Sequence, residues 1–182
     1  MKSKKIICLK ENLLVDNSWL SLYFDDVLFP NGTTGKYNRL VEKGGNGIVI
    51  IPIDDNKKIG MVRIYRYPIA KYSWELPRGF GENNTIENNA AREFQEEFSM
   101  TFDNYQSLGF VYPNTGISAT GSNIVIVKGL KYIANPNIGE EEFIESINFF
   151  DKEEIKKMIQ DGKIYDSLTL AALLIAKIKG LI

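Results

Sequence analysis

The sequence predicts an α/β fold, a mixed sheet with helices on its faces, preceded by a small antiparallel β subdomain. Three observations carry this. Ile48-Val49-Ile50-Ile51-Pro52-Ile53 is a continuous apolar run, the pattern of a strand buried on both faces. The stretch closing at Arg92-Glu93-Phe94-Gln95-Glu96-Glu97 has helical period, with Glu93, Glu96 and Glu97 on one face and Ala91, Phe94 and Phe98 on another. Residues 5–41 are short strand-like runs separated by turns, a sheet too small to stand alone.

In chain order, Trp19–Phe24 alternates loosely, Asp25-Asp26 is expected to break the strand, and Val27–Phe29 resumes it before Pro30-Asn31-Gly32 turns the chain. Gly44–Gly47 marks a boundary, dividing a β subdomain over 1–42 from a main domain over 43–182. After the 48–53 strand, Asp54-Asp55-Asn56 turns and Ile59–Tyr67 returns. Tyr72–Leu76 is a short strand ended by the Pro/Gly-punctuated turn Leu76-Pro77-Arg78-Gly79-Phe80-Gly81. Thr85 is placed to cap the acidic helix, with Glu87 in its first turn. Strands follow near 105–111 and 123–130, joined by a glycine-rich loop. Asp151 with Glu154 forms a capping box for a helix stopped at Gly162, and Asp166 or Ser167 caps a final apolar helix over 168–178.

Composition narrows the chemistry. The chain has 182 residues, no histidine and one cysteine, Cys8. This removes histidine triads, histidine-ligated zinc, cysteine zinc clusters and an intrachain disulfide. A net charge of −1 argues against a general grip on nucleic acid, and the longest apolar stretch is too short to span a bilayer. The run Ile6–Leu9 is too short for a signal-peptide core, so a cytoplasmic location is expected.

Three carboxylates on one helix face repel one another unless something positive sits among them. Arg92 can satisfy one; a hard divalent cation with oxygen ligands, magnesium or manganese, suits the others. The alternative for such a helix is a solvated acidic face.

The turn and helix together resemble the Nudix box, G-x5-E-x7-R-E-U-x-E-E-x-G-U. The R-E-U-x-E-E half is present as Arg92, Glu93, Phe94, Glu96 and Glu97. The first half departs: Asn84 stands where the first glutamate belongs, Gly79 lies one residue too close, and Ser99 replaces the second glycine. In the family that first glutamate braces the arginine, a role Glu82 or Glu87 would have to take here.

Across nearly the whole chain the sequence is similar to the ADP-ribose pyrophosphatase branch, through Arg63–Pro68, Trp74–Pro77, Tyr112-Pro113, Glu142–Glu145 and Asp161–Asp166. The resemblance implies an α/β/α sandwich and magnesium-dependent hydrolysis of a nucleoside diphosphate joined to a second moiety. Magnesium would be held by Glu93 and Glu97, with Glu96 nearby and the Arg78 carbonyl. Glu142, or failing that Glu140, would be the base, assisted by the helix glutamates Glu96 and Glu97. Arg66 would bind phosphate, and Arg92 and Gly79 would brace the motif. It also implies a homodimer in which Trp19 and Tyr37 sandwich the adenine, unless Trp19 is simply core of the small sheet. Nucleotide sugars, dinucleotides and oxidised nucleoside triphosphates remain as other substrates, and a catalytically weak nucleotide-binding module as another class.

Overall fold

The computed structural model describes residues 5–82, 84–133 and 144–182. Its strands are β1 (Ile7–Lys10), β2 (Leu13–Asp16), β3 (Leu20–Leu28), β4 (Thr34–Glu42), β5 (Gly47–Pro52), β6 (Ile59–Arg66), β7 (Lys71–Glu75) and β8 (Arg78–Gly79). Helix α1 (Ile86–Phe98) follows, then β9 (Met100–Thr101), β10 (Asn104–Val111), β11 (Ser122–Lys128), β12 (Lys131–Tyr132) and β13 (Ile144–Phe150). Helices α2 (Lys152–Gln160) and α3 (Ser167–Ile178) close the chain.

The apolar run at 48–53 becomes β5, buried along its whole length. It lies between β11, which it pairs in parallel, and β8, which it pairs antiparallel, in a sheet ordered β10-β11-β5-β8. A second sheet, β13-β6-β7, is antiparallel throughout. Side chains alternate across a strand, so β5 serves two cores. Val49 and Ile51 join Met61, Ile124 and Ile126 against Ile155 of α2 and Ala172, Leu173 and Ala176 of α3. Ile48 and Ile50 join Val62, Val125 and Val127 against Ala90, Phe94 and Phe98 of α1. Helices thus cover both faces, as the α/β/α expectation requires. Burying each such Ile or Val contributes roughly 1.5–3 kcal/mol, which is why no polar residue interrupts the run. The apolar stripe of α1 starts at Ala90, fully buried, and not at Ala91, because the i, i+4, i+8 spacing of 90, 94 and 98 meets the sheet.

The helix ends are locally encoded. The Thr85 side chain accepts a hydrogen bond from the Asn88 N–H, Asp151 and Glu154 make the capping box, and Asp166 caps α3 by accepting from Thr169 N–H. Among the described residues no helix is long and apolar enough to cross a membrane.

The N-terminal strands form their own antiparallel sheet, with β1 and β2 along one edge of β3 and β4 along the other. Asp25-Asp26 does not break β3. The strand runs through because Asp25, only 4% exposed, finds partners across the ladder: Arg39 Nε donates to it at 2.8 Å and the Asn12 N–H at 3.1 Å. The Arg39 hydrogen bond, set against desolvation, holds the Asp25 carboxyl below the usual carboxylate range. This sheet docks on the main body through β4. Leu40 N–H donates to Ile117 O at 2.9 Å, Ala119 N–H returns to Leu40 O at 2.8 Å, and the Thr120 hydroxyl donates to Glu42.

Candidate active site

The turn after β7 is pinned before any function is asked of it. Leu76 N–H donates to the Thr169 hydroxyl of α3, Ile50 N–H donates to Pro77 O, and residues 78–79 pair with Val49 and Ile48. This lays the turn against one face of α1. A Cβ on Gly79 would stand 2.0 Å from the Glu93 carboxyl carbon, so only glycine allows Glu93 its place. Arg78 N–H donates to Glu97 Oε1 at 3.3 Å. Glu93 and Glu97 are 5% and 4% exposed, one turn apart on the same face.

Arg92 organises the other carboxylates. Its Nη2 reaches Glu93 Oε1 at 2.5 Å and Phe80 O at 2.9 Å, its Nη1 reaches Glu96 at 2.8 Å, and its Nε lies 3.3 Å from Glu82. Desolvation works against its charge, but Glu93, then Glu96 and Glu82, push its pKa above the ordinary arginine value. Asn84 takes no part in this bracing; its side-chain oxygen accepts from Thr85 N–H and Asn88 Nδ2 at the start of α1. Among the described residues no three carboxylate or thiolate groups converge into a closed metal cage. The two buried carboxylates, one turn apart on one face of α1, supply the hard oxygen donors that fit a divalent cation which keeps several waters.

Beside this pair lies a cleft of about 290 Å³, lined among others by Arg66, Arg78, Gly79, Phe80, Ser122 and Asp166. Arg66 sits on its wall, held by Glu75 through Nε at 3.1 Å and Nη2 at 2.8 Å. Arg63 points elsewhere, to Glu145 and over the Tyr72 ring. A larger hollow of about 530 Å³ lies between α2 and α3, floored by Ile155, Leu173 and Leu174. It lies across the sheets from Glu93 and Glu97, so chemistry selects the smaller cleft.

Trp19 and Tyr37 do not meet within one chain. Lys43 N–H donates to Trp19 O, whereas Tyr37 pairs with Asp25 farther along the same ladder. The six residue steps from Tyr37 to Lys43 span about 20 Å at ~3.4 Å each. Trp19 instead stands 6.2 Å, centroid to centroid, from Phe80 at the cleft edge. Glu140 and Glu142 lie outside the described residues.

A model of the NUDIX domain matches residues 45–168. The chain belongs to the Nudix family. It is 29% identical over 154 residues to the ADP-ribose pyrophosphatase of Mycobacterium tuberculosis, covering 82% of this chain and 72% of that one. It is 31% identical over 157 residues to the methanol dehydrogenase activator of Bacillus methanolicus, covering 84% and 82%. Its fold matches the crystal structure of an ADP compounds hydrolase with a TM-score of 0.84, over 98% of this chain and 97% of that one, at 18% identity. The protein is a Nudix hydrolase, similar in sequence to ADP-ribose pyrophosphatases.

The departures from the Nudix box now have physical readings. Ser99 replaces the second glycine yet keeps its left-handed backbone, φ 55°, with its N–H on Gln95 O. A side chain in that region costs about 1 kcal/mol. Ser99→Gly should therefore raise the melting temperature by roughly 2–4 °C in a chain of this size. Thermal unfolding followed by circular dichroism checks it, and an unchanged midpoint would mean that the serine carries no strain. Of the two residues offered in place of the missing first glutamate, Glu82 is the one in ion-pair contact with Arg92. Because the Glu82 side chain is 60% exposed, its pair with Arg92 contributes only ~0.2–1 kcal/mol. Glu82→Gln should thus cost a few-fold in turnover and Glu87→Gln nothing; the reverse order in steady-state assays would reassign the brace.

Sequence reasoning missed Phe80 and the Asp166 carboxylate as cleft residues, and Glu75 as the buried partner of the two cleft arginines. For Glu75 a signal existed: it sits between Trp74 and Leu76 in an apolar strand, and a lone acid there demands a cationic partner. For Phe80 there was none.

Proposed function

We propose that this Nudix hydrolase cleaves the pyrophosphate bond of ADP-ribose, giving AMP and ribose 5-phosphate, with Mg2+ as cofactor and Mn2+ as substitute. The carrying observation is the buried Glu93–Glu97 pair, with Glu93 seated against Gly79 and an arginine-walled cleft beside it. The name of the mycobacterial relative supports the substrate, and the absence of histidine leaves carboxylates to do the work.

Glu93 and Glu97 would hold the magnesium, which would supply charge neutralisation on the diphosphate and a more nucleophilic water. Arg92 fixes the orientation of Glu93 and keeps Glu96 beside it, so the buried carboxylates are set before substrate arrives. Arg66, held by Glu75, offers its guanidinium to a phosphate oxygen, a charge-assisted contact of the strong kind. The proton from the attacking water goes to a carboxylate of the late loop, Glu142 first and Glu140 second. Glu142→Gln should lower kcat far more than it raises KM; if Glu140→Gln does so instead, the base moves by two residues.

At about 290 Å³ the cleft is smaller than the usual site for a ligand of this size, so the nucleoside extends past it toward Trp19. We assign Tyr37 to the site of a second copy, since it stands far from Trp19 in its own chain. The apolar side chains exposed on β1 and β2, Ile7, Leu9, Leu13 and Val15, support such a homodimer.

The test is phosphatase-coupled phosphate release from ADP-ribose, with magnesium and then with excess chelator. Magnesium-dependent release with AMP and ribose 5-phosphate as products is expected. No release, with ADP-ribose still raising the melting temperature, would replace the hydrolase reading by that of a nucleotide-binding module.

A further inference from the structure

Arg78 brings more than backbone to this site. Glu75, 2% exposed, accepts from Arg66 and also from Arg78, whose Nε lies 3.2 Å and Nη2 3.1 Å from the same Oε2 that Arg66 Nη2 contacts at 2.8 Å. One buried carboxylate therefore aligns two guanidiniums. Both line the cleft, with side chains 26% and 27% exposed, so each is part anchored and part presented to solvent.

Among the described residues the carboxylates nearest Arg78 have other duties. Glu75 is shared between Arg66 and Arg78. Asp166, 3.6 Å from Arg78 Nη2, is divided between that contact and its role as cap of α3. Glu42, also on the cleft wall, is engaged by the Thr120 hydroxyl. A guanidinium is a planar fork with more N–H donors than one carboxylate can use, and it matches phosphate oxygens in pairs.

We propose that Glu75 is a positioning residue which holds Arg66 and Arg78 as a two-guanidinium clamp, and that the Arg78 side chain binds the substrate's diphosphate. The inference rests on the proposed pyrophosphate substrate and deepens it: the clamp accounts for a diphosphate where a single arginine would account for one phosphate. The competing role for Arg78 is structural, tying the β7–β8 turn to α3 through Asp166.

The experiment uses the full chain and reads binding as well as turnover. Steady-state constants for ADP-ribose with magnesium are measured for the wild type, Arg78→Gln, Arg78→Lys and Glu75→Gln. Calorimetric binding of the non-hydrolysable α,β-methylene analogue of ADP-ribose, in chelator, and melting temperature are recorded beside them. Losing a charged hydrogen bond of this kind predicts about a tenfold or larger rise in KM and in Kd for Arg78→Gln, with kcat within about threefold. Arg78→Lys keeps the ion pair with Glu75 but loses the fork, so its KM should still rise, by less. Glu75→Gln should raise KM by loosening both arginines. If Arg78→Gln alters melting alone, with KM and Kd as in the wild type, Arg78 is structural and the clamp is wrong. If the Gln variant does not fold, a wild-type KM and Kd in Arg78→Lys overturns it equally. A wild type that binds the analogue without turnover, with Arg78→Gln weakening that binding, would sink the hydrolase reading and leave the clamp standing.

Discussion

Replacing Glu97 by Gln should cut ADP-ribose turnover at saturating magnesium by at least about 10²–10³-fold. The exchange is nearly isosteric. A glutamine oxygen can still accept from Arg78 N–H, so the turn keeps its anchor to α1. What goes is the negative charge, at a position only 4% exposed. Burying a charge is costly, so the neutral side chain should leave the melting temperature unchanged or raise it. That combination, lost turnover with kept or increased stability, marks a side chain retained for chemistry. The measurement is kcat across a magnesium titration together with a thermal melt. Near-normal turnover at saturating magnesium would remove Glu97 from the metal site, and with it the central element of the proposed function.

Gly79→Ala should be nearly as damaging to activity, by a different route. The new methyl would stand 2.0 Å from both the carboxyl carbon and Oε1 of Glu93. No heavy-atom contact survives at that distance, so either Glu93 leaves or the turn shifts. The turn is held by Pro77 O on Ile50 N–H and by pairing of residues 78–79 with β5, and Glu93 is held by Arg92. Each escape therefore breaks something. Overpacking of this kind costs about 1–3 kcal/mol, and an ångström of misplacement at a reacting centre costs roughly 10²-fold in rate. Both losses are expected together: a lower melting temperature and a kcat reduced by about two orders of magnitude. A variant that melts lower but turns over normally would show that Glu93's position does not matter to the chemistry.

The two variants bear on how far the site was legible in the sequence. Arg92, Glu93, Glu96 and Glu97 were readable because helical spacing alone puts them near one another. Thr85, Asp151 and Asp166 were readable as caps because a cap bonds an N–H only a few residues away. The strand at 48–53 was readable because a double-sided core leaves an unbroken apolar run. Gly79 was assigned to the motif by pattern, but its purpose, room for a carboxylate, became visible only with α1 laid against it.

Other features depended on which distant segments came together. Asp25-Asp26 looks like a strand breaker in isolation; Arg39 and Asn12, brought across the ladder, turn Asp25 into a strand residue. Glu82 and Glu87 were equal candidates to brace Arg92 until the turn's path placed Glu82 beside it. Glu75 binds two arginines on either side of it in the chain, a relation that no local period encodes. Trp19 and Tyr37 are both exposed aromatics of one small sheet, and only the β3–β4 register shows Trp19 beyond one end of the ladder and Tyr37 well along it. The sequence by itself determined the helices, their caps, the buried central strand and the carboxylate face, because those follow from interactions within a turn or an alternation. The tertiary structure decided which charges pair, which glycine makes room and which aromatic reaches the cleft, because those depend on approach between segments far apart in the chain.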